Sequence, residues 1–155
     1  MKVIILFWRT GMVIRIKKVD YDSIVRYCLD GLPNESCGLI AGFTDGDVKV
    51  IEKVYFLTNL DHNNVHFTMD PKEQFAAVKD ARSLGLTMLG NFHSHPETPS
   101  RPSEEDKRLA YDSTAVYMIM SFMIMTILCL RHLVLIRIRM LLSMCLRLCN
   151  MNLFA

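Results

Sequence analysis

The sequence has no CxxC pair, although it contains five cysteines: Cys28, Cys37, Cys129, Cys145 and Cys149. An odd number of cysteines without that spacing argues against a secreted disulfide framework and against a cysteine zinc knuckle. A reducing cytoplasm is therefore the expected compartment. The P-C-x-x-C motif is missing too, so the usual cysteine ligands of zinc-dependent nucleobase deaminases are absent.

A strong excess of charge is also missing. The formal net charge of +2 on 155 residues is too small to indicate a nucleic-acid partner. This length leaves room for one domain, and it excludes a (β/α)₈ barrel, which needs at least about 200 residues. Because 51% of the residues are hydrophobic, the chain can bury a core, and general disorder is excluded.

The end of the chain lacks a further set of residue types. Residues 123–155 contain no Asp, Glu, Lys, Gly or Pro, and their only charged side chains are four arginines. We therefore expect three regions: an N-terminal extension at 1–12, a globular domain at 13–122 and an atypical apolar tail at 123–155. A frame shift would produce such a tail, and an apolar helix on a membrane surface or against a partner is the alternative.

The uncharged run at 113–130 is long enough to be a marginal transmembrane candidate. We favour a buried strand at 115–122, because a spanning segment would remove the strand that supports the preceding helix at 103–112. A membrane partner is therefore not expected. The oligomeric state is left open by the sequence.

Within the central region, helical and strand patterns alternate. Asp20 is predicted to cap a first helix that Gly31 and Pro33 end, and Asp70-Pro71 is predicted to begin a second helix that runs to about Gly85. Predicted strands and a short helix complete the pattern: strands at 36–43, 48–57, 86–95 and 115–122, and the helix at 103–112. The result is an α/β fold, a mixed sheet flanked by helices.

The second predicted helix also carries specific expectations about side chains. Glu73 is predicted to act as the acid of a capping box. The apolar residues on its candidate buried side are Phe75, Ala76, Val78, Ala81 and Leu84.

The stretch His93-Ser94-His95-Pro96 carries the strongest chemical signal. Side chains two apart on a strand point to the same face, so His93 and His95 can present two imidazoles side by side. Asp106, in the first turn of the next helix, can add a carboxylate. Two nitrogens and one oxygen suit Zn²⁺ with a fourth position open for water, as in catalytic zinc sites. Taken alone, Ser103-x-x-Asp106 is better explained as a helix N-cap, and the cap is compatible with a metal role for Asp106.

The pattern HSHP-(x)6-S-x-x-D, with Glu35 just before the apolar run CGL, resembles the signature of the prokaryotic-type JAMM (MPN-plus) metallopeptidases. The resemblance covers residues 13–122 and implies the family's mixed sheet flanked by helices, related to cytidine deaminases. It implies one zinc ion per chain, held by His93, His95 and Asp106. It also implies that Glu35 is the general acid/base and that Ser103 donates a hydrogen bond to the developing oxyanion.

The same resemblance implies a substrate class. The expected activity is zinc-dependent hydrolysis of peptide or isopeptide bonds, after the C-terminal diglycine of a ubiquitin-like or sulfur-carrier protein. Two alternatives stay open. One is a catalytically silent interaction module of the same fold, and the other is a zinc hydrolase or deaminase of small molecules.

Other polar residues carry weaker expectations. His62 and His66, near an Asn-rich loop, are expected to be surface residues or turn formers, with a place in a substrate groove as the alternative. Ser94 should point away from the ligands and support them or pack. Loop residues 97–101 can contact substrate, and an extended substrate tail can add to a nearby sheet edge. Cys37 is expected to be a buried structural thiol.

Overall fold

The computed structural model describes residues 2–6 and 13–123. The predicted apolar tail lies outside the described residues from 124 onward, and so do residues 1 and 7–12 of the predicted extension. The three-region division of the chain stays a prediction.

Strands and helices alternate along the described chain. In chain order they are β1 (Lys2–Leu6), β2 (Val13–Lys17), α1 (Lys18–Asp30), β3 (Cys37–Asp45), β4 (Val48–Leu57), α2 (Pro71–Ser83), β5 (Thr87–His95), α3 (Glu104–Leu109) and β6 (Val116–Ser121). The predicted α/β fold is confirmed. The uncharged run after residue 113 contributes strand β6, as expected.

The strands of the described chain form one six-stranded mixed sheet in the order β1-β2-β4-β3-β5-β6. β2 is parallel to β4 and β5 is parallel to β6, whereas the other neighbours are antiparallel. β3 lies beside β5, and its first residue, Cys37, is opposite His93. The chain that enters β3 therefore lies next to the His-Ser-His segment at the end of β5.

The main core lies between α1 and one face of the sheet. Buried α1 residues Tyr21, Ile24 and Cys28 pack with isoleucines of β2, β3 and β4 and with Phe92 of β5. A smaller cluster of Cys37, Leu57 and Met69 is separate from this core. Phe67 packs against the smaller cluster and stacks on the His93 ring, with the two ring centroids 4.8 Å apart. The smaller cluster therefore supports the His93 imidazole through Phe67.

The first helix begins earlier than its cap residue predicted. α1 starts at Lys18, directly after β2, and Lys17 is its N-cap without a side-chain hydrogen bond. The prediction for Asp20 as the cap was wrong. Because no loop separates β2 from α1, Asp20 lies inside the first turn, where a carboxylate still interacts favourably with the helix dipole.

The start of α2 agrees with the sequence, but its buried face agrees only at Ala81. The Asp70 carboxylate accepts hydrogen bonds from the backbone N–H groups of Lys72 and Glu73, as a cap does. Glu73 instead accepts from the N–H and the hydroxyl of Thr58. The buried α2 residues are Ala77 and Ala81, whereas three of the predicted apolar residues are exposed: Phe75, Ala76 and Leu84.

None of the helices in the described ranges is both long and apolar enough to cross a membrane.

Candidate metal centre and active site

Two buried imidazoles converge at the end of β5. His93 and His95 are 3% and 4% exposed, and their Nε2 atoms are 3.0 Å apart. Ser94 points to the opposite face, as alternation along a strand requires. Its hydroxyl accepts a hydrogen bond from Ser36 N (2.8 Å), and its N–H donates to Ser36 O (2.9 Å). Ser94 therefore points away from the ligands, as expected, and connects the end of β5 to the residue that precedes β3.

Asp106 approaches the imidazoles from the first turn of α3. Its Oδ1 lies 3.4 Å from His93 Nε2, and its Oδ2 lies 3.6 Å from His95 Nε2. Ser103 caps the helix, because its Oγ accepts from Asp106 N (3.1 Å) while Asp106 Oδ2 accepts from Ser103 N (2.7 Å). The N-cap of α3 therefore also places the Asp106 carboxylate beside the imidazoles.

The three donor atoms fit a small divalent cation. They all lie within 4.8 Å of one another. Zinc–ligand bonds of 2.0–2.1 Å in a tetrahedral site separate ligand atoms by about 3.3 Å, close to the 3.0 Å between the two Nε2 atoms and to the distance from each Nε2 to its nearer Asp106 oxygen. His95 Nδ1 lies 2.9 Å from Pro99 O, which can only accept, so Nδ1 carries the proton and Nε2 keeps a lone pair for a metal. Two histidines and a carboxylate also suit ferrous iron.

The pKa shifts of His93 and Asp106 agree with a cation site, whereas the pKa of His95 is raised, because the lowering effect of burial is outweighed by hydrogen bonds with Asp106 and Pro99. Burial lowers the pKa of His93 below its usual value, which favours the neutral imidazole that ligates metals. Burial alone would raise the pKa of Asp106, but hydrogen bonds with His93, His95 and Ser103 outweigh burial and lower that pKa below its usual range. Asp106 is therefore an ionised carboxylate.

Glu35 lies beside the cluster, just before β3. It is 5% exposed, and its Oε1 is 4.0 Å from His95 Nε2. Its N–H donates to Asn63 O (2.7 Å), and its carbonyl accepts from Asn59 Nδ2 (2.9 Å). Burial raises the pKa of Glu35 to about 7, and the nearby His95 opposes the rise. A carboxyl with such a pKa can both take up and release a proton near neutral pH.

Ser103 has an exposed side chain and borders the pocket that Glu35, His95 and Asp106 line. Its hydroxyl donates to Asp106 Oδ2 at 2.6 Å. To donate to a substrate oxygen, the hydroxyl hydrogen must rotate away from Asp106. The sequence did not indicate this competing hydrogen bond.

The family model described as prokaryotic homologs of the JAB domain matches residues 17–137. The chain belongs to this family. The family indicated by the histidine pair and the Ser103–Asp106 spacing is therefore confirmed.

Similar proteins support the membership of this JAB-domain protein. A desampylase from Haloferax volcanii is 31% identical over 105 residues, which cover 64% of this chain and 74% of that protein. A CysO-cysteine peptidase from Mycobacterium tuberculosis is 29% identical over 113 residues, covering 71% and 73% of the two chains. The solution structure of DSY2949 from Desulfitobacterium hafniense is 53% identical, with a TM-score of 0.62 over 68% of this chain and 73% of that one.

The pocket of this JAB domain contains a residue whose place the sequence did not show. His66 is partly buried and lines the pocket together with Glu35, His95 and Asp106. The expected alternative of a groove position for His66 is therefore the one that the geometry favours. No sequence signal distinguished it from His62, which is exposed with a positive φ of 46°.

The remaining predicted residues have less direct places. Cys37 is fully buried, and burial raises the pKa of its thiol to about 12, as expected for a structural cysteine. Glu97 is exposed and accepts a hydrogen bond from Asn64, while Thr98 O accepts one from Ser121. Loop residues 97–101 thus remain candidates for substrate contact.

Proposed function

We propose that this JAB-domain protein is a zinc-dependent metallopeptidase that cleaves after the C-terminal diglycine of a ubiquitin-like or sulfur-carrier protein. The observation that carries the proposal is the convergence of His93, His95 and Asp106, with the Glu35 carboxyl 4.0 Å from one imidazole. Similarity to a desampylase and to a CysO-cysteine peptidase supports the substrate class.

The proposed metal ligands are the two imidazole Nε2 atoms and the Asp106 carboxylate. When bound, zinc supplies a Lewis acid and lowers the pKa of a coordinated water. The spacing of these donor atoms, which all lie within 4.8 Å of one another, supports a shared metal ion. The chain itself orients these donors through the Ser103 cap and the Pro99 carbonyl.

Glu35 is the proposed proton carrier. It accepts a proton from the attacking water as the new C–O bond forms, and it delivers that proton to the nitrogen as the C–N bond breaks. Its backbone is fixed on both sides by Asn63 and Asn59, so its carboxyl stays on the pocket side. Ser103 is the proposed donor to the substrate oxygen once its hydroxyl rotates.

Replacing Glu35 by glutamine separates metal binding from turnover. We expect Glu35→Gln to keep stoichiometric zinc and to lose at least about 100-fold in turnover, since it removes the proton carrier and no ligand. Cleavage of carrier-protein fusions with a diglycine junction measures turnover, and elemental analysis measures zinc. Glu104→Gln, which changes a 91% exposed glutamate on α3, is the matched control. Wild-type turnover in Glu35→Gln would overturn the assigned role.

Replacing His95 by alanine tests the metal site itself. We expect His95→Ala to lose the metal after dialysis, because only two of three ligands remain. Elemental analysis of the wild-type protein, purified without added metal, separates zinc from iron. Stoichiometric zinc with binding but no cleavage of every diglycine-linked fusion would instead identify a catalytically silent interaction module.

We propose a reducing cytoplasm as the compartment. The two described cysteines, Cys28 and Cys37, are free and buried. Burial raises the pKa of each thiol to about 12, so both stay protonated and unreactive.

A further inference from the structure

We propose that His66 and Glu105 form a positioning pair that connects loop 58–69 to α3 and thereby sets Glu35 against Asp106. This inference deepens the proposed function, and it rests on that function only for its effect on turnover. Both side chains line the pocket, and the role proposed for them is to position other residues rather than to contact the reacting atoms. The pair acts through the two chain segments that carry Glu35 and Asp106.

The helix that carries Asp106 needs an external support. α3 has six residues and none of them is buried. A helix of that length is not stable on its own in water, because nucleation costs more than a few backbone hydrogen bonds return. Its position must therefore come from contacts of individual side chains. Glu105, next to Asp106 in the chain, provides one that reaches another segment.

Loop 58–69 is hydrogen-bonded to the backbone of Glu35. Asn63 O accepts from Glu35 N at 2.7 Å, and Asn59 Nδ2 donates both to Glu35 O (2.9 Å) and to His66 O (3.2 Å). One buried amide thus joins the backbones of Glu35 and His66. A displacement of His66 is transmitted to Glu35 through a single side chain.

The His66 ring lies between two carboxylates. Its Nδ1 is 2.7 Å from Glu105 Oε2, and its Nε2 is 3.2 Å from Asp61 Oδ2. A neutral imidazole can donate to one of them, and an imidazolium donates to both. Glu105 is oriented by Arg108 as well, which donates to its other oxygen at 3.0 Å. The contact between loop 58–69 and α3 is therefore short and fixed at both ends.

The location of the pair determines what its loss should change. The side chains of His66 and Glu105 are 40% and 38% exposed, and ion pairs with such exposure add little to global stability. Loss of the pair should therefore change the hydrogen-exchange protection of α3, the metal affinity and kcat. The melting temperature should stay close to that of a surface variant.

The experiment compares His66→Gln, Glu105→Gln and the double variant with the control Glu104→Gln. Hydrogen exchange of α3 amides is measured in the zinc-free protein, and the zinc Kd is measured by chelator competition. We expect each single variant to weaken zinc binding about tenfold, as loss of a group that orients ligands does. The double variant should be no weaker than the worse single variant, because both changes break one contact. kcat should fall while KM stays nearly constant.

Several results would overturn the proposal. These are α3 exchange equal to that of Glu104→Gln, α3 amides without protection in the zinc-free wild type, or fold-changes that multiply in the double variant. Failure of the proposed function has a different signature, since a wild-type protein that holds zinc and cleaves no fusion still shows the exchange and affinity effects. If the wild type binds no zinc, the hydrogen exchange of the α3 amides alone tests whether the pair positions α3.

Discussion

Asn59 offers the sharpest test of how the pocket is held together, and we predict that replacing it by alanine destabilises the protein substantially. Its amide nitrogen donates to Glu35 O and His66 O. Its Oδ1 accepts from the N–H groups of Asp61 and Thr68 at 3.0 and 3.1 Å. Asn59→Ala removes all four hydrogen bonds from a residue that is 9% exposed.

The size of the loss follows from which partners can reach water. A typical intramolecular hydrogen bond contributes about 1 kcal/mol, and a buried group left without a partner costs about 1–3 kcal/mol. Asp61 and Thr68 are exposed, so water can replace part of their loss. Glu35 is buried, and its carbonyl oxygen bears the larger penalty. We expect the free energy of unfolding to fall by about 2–4 kcal/mol, a large share of the stability of an ordinary domain.

Urea unfolding of the zinc-free protein, followed by circular dichroism, measures this loss without interference from the metal. Asn64→Ala is the matched control, because Asn64 is in the same loop and makes one exposed hydrogen bond to Glu97. That variant should change the free energy of unfolding by no more than about 0.5 kcal/mol. A loss below about 1 kcal/mol for Asn59→Ala would show that the loop is held by other contacts.

Two further predictions concern packing, and thermal unfolding checks both. Gly90→Ala should lower the free energy of unfolding by at least about 3 kcal/mol, because φ is 150° and an added Cβ would lie 2.0 Å from Val116 O. Gly46→Ala should lower it by only about 1–2 kcal/mol, because an added Cβ meets nothing within 4 Å. Equal losses would refute the steric explanation. Phe75→Ser should be neutral within about 0.5 kcal/mol, since Phe75 is 73% exposed, while Ala81→Leu should cost about 1–3 kcal/mol; the reverse order would mean that the α2 face is assigned incorrectly.

The metal cluster was predictable because local geometry determines most of it. Alternation along β5 places His93 and His95 on one face whatever the rest of the fold does. Ser103 is the N-cap of α3, so the helix begins where its first turn places Asp106 near the two histidines. The position of Glu35 came from the resemblance, because its approach to His95 depends on the pairing of β3 with β5.

Hydrophobic spacing identified only Ala81 of the buried face of α2 and missed Ala77. Large apolar residues such as Phe75 and Leu84 dominate any pattern based on hydrophobicity, yet both point to water. The helix contacts the sheet through Ala77 and Ala81, whose small side chains permit a close approach. The sequence alone does not indicate which small residues face the sheet, because that depends on the distance between helix and sheet.

Polar residues in the loop between β4 and α2 gave no usable signal either. Asn59 and His66 lie in a polar stretch without periodicity, and one partner of each, Glu35 and Glu105 respectively, is far away in the chain. Burial distinguishes Asn59 from its neighbour Asn64, and only the assembled fold decides which of the two is buried.

His93, His95 and Asp106 all come from one continuous strand–loop–helix unit, whereas Glu35 reaches them from a distant part of the chain. In the proposed mechanism, binding of the ion and cleavage of the bond are therefore encoded in separate stretches of the gene. Under that mechanism, a substitution of Glu35 would abolish hydrolysis and leave a protein that still carries its metal, and a descendant of that kind would still be able to bind a partner at the same pocket.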